Sequence, residues 1–234
     1  MCNNHSPILS RRQILQGVAL GAVSLALPRW SMASAPAAPT MSPDEALALL
    51  KEGNTRFVSR SLQHPNSSLE RQMETATKGQ HPFATILSCS DSRVPVEMLF
   101  DRGIGDLFII RVGGNVAHTD EIASAEYGSE HLGVPLIVIL GHTHCGAVTA
   151  VAKGDSVGGS IPQLVSSVQP VVDQLKAKGL TGEELVNESI KGNVRQGLLD
   201  MRAHSADLAQ MEKEGKIKLV GGVYVLETGQ VEWL

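Results

Sequence analysis

The sequence has few cysteines, no surplus of positive charge and no apolar run long enough to cross a membrane. Three cysteines in 234 residues leave room for one disulfide at most. A formal net charge of -4 argues against a nucleic-acid partner, which calls for a basic face. The one long apolar run, Ile14 to Leu27, has 14 residues, well short of the ~20 that span a bilayer. No repeat or low-complexity block divides the chain, so the roughly 200 residues after that run suit a single domain with a sizeable core.

The first 35 residues carry the three parts of a cleavable export signal. Arg11 and Arg12 stand in "SRRQIL", the apolar run follows, and "ASA" ends at Ala35. The paired arginines resemble the twin-arginine type, with isoleucine where that motif prefers phenylalanine and no lysine after it. The expectation is a cleaved signal over 1–35, a linker over 36–41 and one domain over 42–234, exported to the periplasm with no stable membrane insertion after cleavage. Without its three arginines the remaining chain has 17 basic against 24 acidic residues, a formal charge of -7. Cys2 leaves with the signal. Cys89 and Cys145 remain, and in an oxidising compartment two cysteines are first read as a disulfide.

Beyond the linker, "SPDEALALLKEGNTRFVS" starts a helix, with Ser42 as N-cap, Pro43 at the first helical position and Glu45 closing a capping box. "FATILS" (83–88), "LFIIRV" (107–112) and "PLIVIL" (135–140) lack polar alternation, as strands buried on both faces do. The segment 119–132 between the last two reads as a helix. A Gly-rich connection at 153–159 leads to helices around 161–177 and 182–213, and "ETGQ" marks a turn between two late strands. The expected fold is α/β: a central, mostly parallel β-sheet flanked by helices, with right-handed crossovers.

In such sheets ligands collect beyond the carboxyl ends of the strands, and the polar motifs lie there. "CSDSR" follows the first strand, "GGN" the second and "GHTHCGA" the third. Two thiolates and an imidazole from Cys89, Cys145 and a histidine of the last motif suit zinc and leave one of four tetrahedral positions open. A structural site would fill that position with a further cysteine or histidine, so the opening favours catalysis. Spacing alone leaves both His142 and His144 eligible. Asp91 and Arg93, two residues apart on a tight turn, can pair. A carboxylate held by a guanidinium stays ionised, accepts hydrogen bonds only, and so can position a nucleophile. His5, His64, His131 and His204 have no motif around them. His118 and His144 read as loop histidines, with His144 also placed for a proton relay.

"CSDSRV" with "GHTHCGAV" downstream resembles the β-class carbonic anhydrases, and "EGNTRF", "RVGGNVA" and "VYVLETGQV" extend the likeness over 42–234. The resemblance implies an enzyme with one zinc per subunit in a homodimer or homotetramer. It implies reversible hydration of carbon dioxide to bicarbonate and a proton, through hydroxide generated at the zinc. It selects His142, in the pattern G-H-x-x-C, to join Cys89 and Cys145 as metal ligands, and makes Asp91 and Arg93 the catalytic dyad. It places Gln80 as a donor to substrate oxygen and Phe108 and Tyr127 in the pocket wall, contributed partly by a neighbouring subunit. Gly113 stands where some members have a valine, so the wall there is wider or shaped by another side chain.

Two thiolates neutralise the charge of zinc, so activity is expected to rise through mildly alkaline pH, above the value of about 7 typical of an all-histidine site. In some relatives the dyad aspartate swings onto zinc and closes the site at lower pH, sometimes with bicarbonate bound nearby at an aromatic-based site. Here the only tryptophans are Trp30 and Trp233, and an accessible zinc is the expectation. Two rival readings share the residues: a hydrolase of carbon disulfide or carbonyl sulfide on the same scaffold, and a zinc-binding module without turnover.

Overall fold

The computed structural model describes residues 41–234; the expected export signal and nearly all of the linker lie outside the described residues. The domain opens with α1 (Pro43–Val58). Its start is fixed by reciprocal bonds: the Glu45 N–H donates to Ser42 Oγ (3.3 Å) and the Ser42 N–H donates to Glu45 Oε2 (2.8 Å). After α2 (Leu69–Lys78) come β1 (Ala84–Cys89), α3 (Val96–Leu99), β2 (Leu107–Val112), α4 (Thr119–Glu126), a π-helical turn (Tyr127–His131) and β3 (Leu136–His142). The rest is α5 (Gly146–Lys153), α6 (Ile161–Leu164), α7 (Val168–Ala177), α8 (Gly182–His204), α9 (Ala206–Lys213), β4 (Lys218–Tyr224) and β5 (Val231–Trp233).

The five strands among the described residues form one sheet in the order β2-β1-β3-β4-β5. The first four are mutually parallel and β5 returns antiparallel to β4. Side chains alternate between faces along each strand. Leu87, Ile137 and Ile139 therefore pack with α4, α5, α7 and α8 on one side. Ile86, Val138 and Leu140 pack with α1 and α3 on the other. β1 and β3, in the middle, are buried throughout, which is what their unbroken apolar runs require.

Four expectations are corrected. β2 reads as a strand buried on both faces, yet every residue of it is half-buried or exposed, because among the described residues it forms the sheet edge and has β1 alone for a neighbour. The stretch 182–213 is two helices: Ser205 leaves helical geometry at φ -130° and its hydroxyl accepts from the Leu208 N–H (3.1 Å), ending one helix and capping the next. The stretch 161–177 is likewise divided into α6 and α7. β3 runs two residues further than its apolar run, so Gly141 and His142 lie on the strand itself.

Candidate metal centre

Cys89 is the last residue of β1 and His142 the last of β3. The two strands are parallel neighbours, with Ser88 beside Leu140, so the two side chains meet at the carboxyl end of the sheet. Thr143 and His144 then reverse the chain, His144 at a left-handed φ of 54°, and Cys145 becomes the residue that starts α5. The potential ligand atoms of Cys89, His142 and Cys145 lie within 4.8 Å of one another, and all three residues are buried. No disulfide joins the cysteines; both are free thiols.

These residues fit zinc. Bonds of about 2.3 Å to sulfur and about 2.0 Å to nitrogen in a tetrahedron put ligand atoms well inside the observed separation. His142 Nδ1 lies 2.9 Å from the Thr143 carbonyl oxygen, which fixes the proton on Nδ1 and leaves the Nε2 lone pair free. Nε2 is fully buried and has no hydrogen-bond partner among the described residues. Such a group is costly to bury without a partner, and a metal ion shared with the two sulfurs removes that cost. The thiols themselves are poised for this. Cys89 is lowered to about 4, first by its hydrogen bond with Cys145, then by His142 and the backbone N–H groups of Asp91 and Gly114, which outweigh burial. Cys145 is pushed upward by the same bond to Cys89 and by burial.

The turn after β1 sets Asp91 beside this centre. Arg93 holds it with a fork, Nε to Oδ1 at 2.9 Å and Nη2 to Oδ2 at 2.8 Å, while the Arg93 N–H also donates to Oδ1 at 2.9 Å. The guanidinium keeps the Asp91 carboxyl well below the usual carboxylate range. Asp91 Oδ2 is 3.8 Å from His142 Nε2, yet Asp91 is outside the three-residue ligand group. Its oxygens are engaged by arginine, with the fork intact.

His144, eligible by spacing, turns away. Its Nε2 meets Glu227 Oε1 at 2.6 Å and its side chain is 60% exposed. His64, His131 and His204 are exposed as well. Gly113 sits where Leu164 supplies the missing bulk: a Cβ there would lie 3.1 Å from Leu164 Cδ2. Phe108 and Tyr127 do pack together, ring centroids 6.0 Å apart, but not at the centre. Phe108 is level with Thr85, four residues back along β1 from Cys89, and Tyr127 is 48% exposed. Gln80 is exposed ahead of the amino end of β1. A single chain therefore assembles Cys89, His142, Cys145, Asp91 and Arg93, and leaves Gln80, Phe108 and Tyr127 at the other end of the sheet.

Two supporting residues escape sequence reasoning. Arg111 on β2 clamps the turn after β1, donating from Nε to the Cys89 carbonyl (3.0 Å) and from Nη2 to the Asp91 carbonyl (2.6 Å). Its signal is being the one charge in "LFIIRV". Asn193 on α8 donates to the Gly114 carbonyl (2.7 Å); its signal is an amide set among buried apolar positions.

The carbonic anhydrase family model matches residues 84–231, a span that contains the ligand group and the Asp91–Arg93 fork. Carbonic anhydrase 2 of Mycobacterium tuberculosis is 37% identical over 196 residues, covering 82% of this chain and 93% of that protein. Among solved structures, the β-carbonic anhydrase CcaA superposes with a TM-score of 0.65 at 28% identity, over 80% of this chain and 94% of the other. The β-carbonic anhydrase CafA of Aspergillus fumigatus gives 0.64 at 29% identity, over 82% and 89%. The sheet order, the cysteine and histidine ligand group at the strand ends and these similarities together place the chain in the β class of the carbonic anhydrase family.

Proposed function

We propose that this carbonic anhydrase holds one zinc per subunit on Cys89, His142 and Cys145 and hydrates CO2 reversibly with Asp91 and Arg93 as its dyad. The observation that carries the reading is the buried, unpartnered His142 Nε2 facing two sulfurs, with an arginine-locked carboxylate 3.8 Å away. Zinc bound there supplies a Lewis acid that makes a water molecule nucleophilic near neutral pH. The protein residues do the rest. Asp91, ionised and unable to donate, accepts the proton of the attacking oxygen in a hydrogen bond and so turns a lone pair toward the carbon of CO2. Arg93 fixes the direction of that carboxylate and keeps it charged. Arg111 holds the carbonyls of the turn so that Cys89 and Asp91 keep their spacing. Leu164, filling the space beside Gly113, gives the pocket an apolar wall that favours CO2 over water.

The pocket is completed by a second copy. The edge strand β2 offers the unpaired backbone and apolar side chains of Leu107, Phe108, Ile109 and Ile110, an arrangement that invites pairing with another chain. Exposed Tyr127 lies against Phe108, so the same contact would carry Phe108 and Tyr127, with Gln80, to a neighbour's centre. Residues 1–35 serve as an export signal in this reading, delivering the folded, metal-loaded domain to the periplasm.

Elemental analysis of the purified protein should find one zinc per chain, with two thiols titratable after chelation. CO2 hydration should exceed sulfide release from carbonyl sulfide. Dominant sulfide release would move the activity to the rival hydrolase, and bound zinc without either activity would leave a binding module.

A further inference from the structure

We propose that Asn193 is a positioning residue of the metal centre, acting through Gly114 on the sulfur of Cys89. The proposal rests on the reading that Cys89, His142 and Cys145 hold zinc. The buried face of α8 includes Leu185, Ile190, Val194 and Met201, with Asn193 in its midst and 2% exposed. An amide at such a position is unfavourable unless its polar atoms are used. Its Nδ2 donates to the Gly114 carbonyl oxygen at 2.7 Å. Gly114 has φ 76° and ψ 10°, a left-handed shape that glycine adopts without a steric cost. In that shape its own N–H donates to Cys89 Sγ at 3.3 Å. Both peptide groups of Gly114 are therefore tied, one by Asn193 and the other by the sulfur.

The geometry has a cause further along the chain. A Cβ on Gly141 would lie 2.7 Å from Val194 Cγ2, so a glycine just before His142 lets α8 settle against the end of β3. That close approach brings Asn193 within reach of Gly114. An N–H donated to a metal-binding sulfur fixes its lone pairs and withdraws electron density from it. Loss of outer partners of this kind changes metal affinity by about 10- to 100-fold.

Asn193→Leu keeps the side-chain size and removes the donor. With the full chain, zinc affinity is measured by competition with a chromophoric chelator, and the thiolate-to-cobalt charge-transfer band is recorded after cobalt loading. The expected result is a loss of zinc affinity of about tenfold or more together with a displaced band. Ser189→Ala, one turn away on the same buried face, is the control, since the Ser189 hydroxyl has no hydrogen-bond partner among the described residues; both readouts should stay at wild type. If leucine is not accommodated, Asn193→Ser, too short to reach the carbonyl, carries the same expectation. A folded Asn193 variant with wild-type affinity and an undisplaced band overturns the proposal, even if its melting temperature falls. A wild-type chain that binds neither metal overturns the metal-centre reading, and the proposal with it.

Discussion

The two ends of the central sheet are finished to different degrees by one chain. At the carboxyl ends of β1 and β3, the groups of the candidate metal centre are in place: three buried residues able to ligate a metal, an aspartate fixed by an arginine, and backbone hydrogen bonds from Arg111 and Gly114. Toward the amino ends, along the β2 edge, Phe108 and Tyr127 stack beside half-covered backbone and Gln80 stands exposed. The contrast reflects different physical demands. A metal centre needs a few atoms at fixed distances, which adjacent strand ends provide through the register of the sheet. A pocket for a small apolar molecule needs walls on all sides, and an edge strand lacks them until something covers it.

The largest effect separates the ends outright. His142→Ala or Cys145→Ser should lose stoichiometric zinc and at least roughly a thousandfold of CO2 hydration, while size-exclusion elution stays at the wild-type position. Retained zinc in either variant would contradict the ligand set. Next, Asp91→Asn should lower kcat/KM by about 100- to 1,000-fold with zinc content unchanged, because it removes a charged acceptor and leaves the three ligands alone. A variant with full activity would remove Asp91 from the reaction. At the other end, Tyr127→Asp should weaken self-association by about 30-fold and reduce activity at low protein concentration, with one zinc per chain retained. Concentration-independent activity in that variant would show that one chain is sufficient.

The smallest effect is on acid stability. Arg93 lowers the carboxyl of Asp91 in the folded state, so the stabilisation from this pair is complete above about pH 4 and is lost as the pH falls through the lowered value. Arg93 is 53% exposed, so solvent screening keeps the contribution small. Metal-stripped Asp91→Asn should therefore lose slightly less melting temperature than metal-stripped wild type between pH 7 and pH 3. An identical loss in both proteins would mean that the fork does not stabilise the fold.

The same contrast explains what could be read from the sequence. The grouping of Cys89, Asp91, Arg93, Cys145 and a histidine of the third motif could be seen because strand ends concentrate polar residues where the core stops, with His142 selected over His144 by the family resemblance, and the capping box of α1 because its partners are three residues apart. β2 was misread as fully buried because an apolar edge strand and an apolar central strand look alike until the neighbours are known. α5 was missed because its N-cap, Cys145, makes no side-chain cap and lies inside a stretch that reads as motif. The filling of the Gly113 site by Leu164 and the bond from Asn193 to Gly114 join residues 51 and 79 positions apart. No local pattern encodes such pairings. His144 shows the reverse, since spacing left it eligible as a ligand and its contact with Glu227 settles where it points.

The most direct test of the account is CO2 hydration by the assembled protein before chelation, after chelation and after one equivalent of zinc per chain is restored. The account predicts activity that disappears with the metal, returns with it, and rises between pH 6 and pH 9. Activity that persists in the metal-free protein, or stays absent when zinc is bound in the assembled protein, would contradict it.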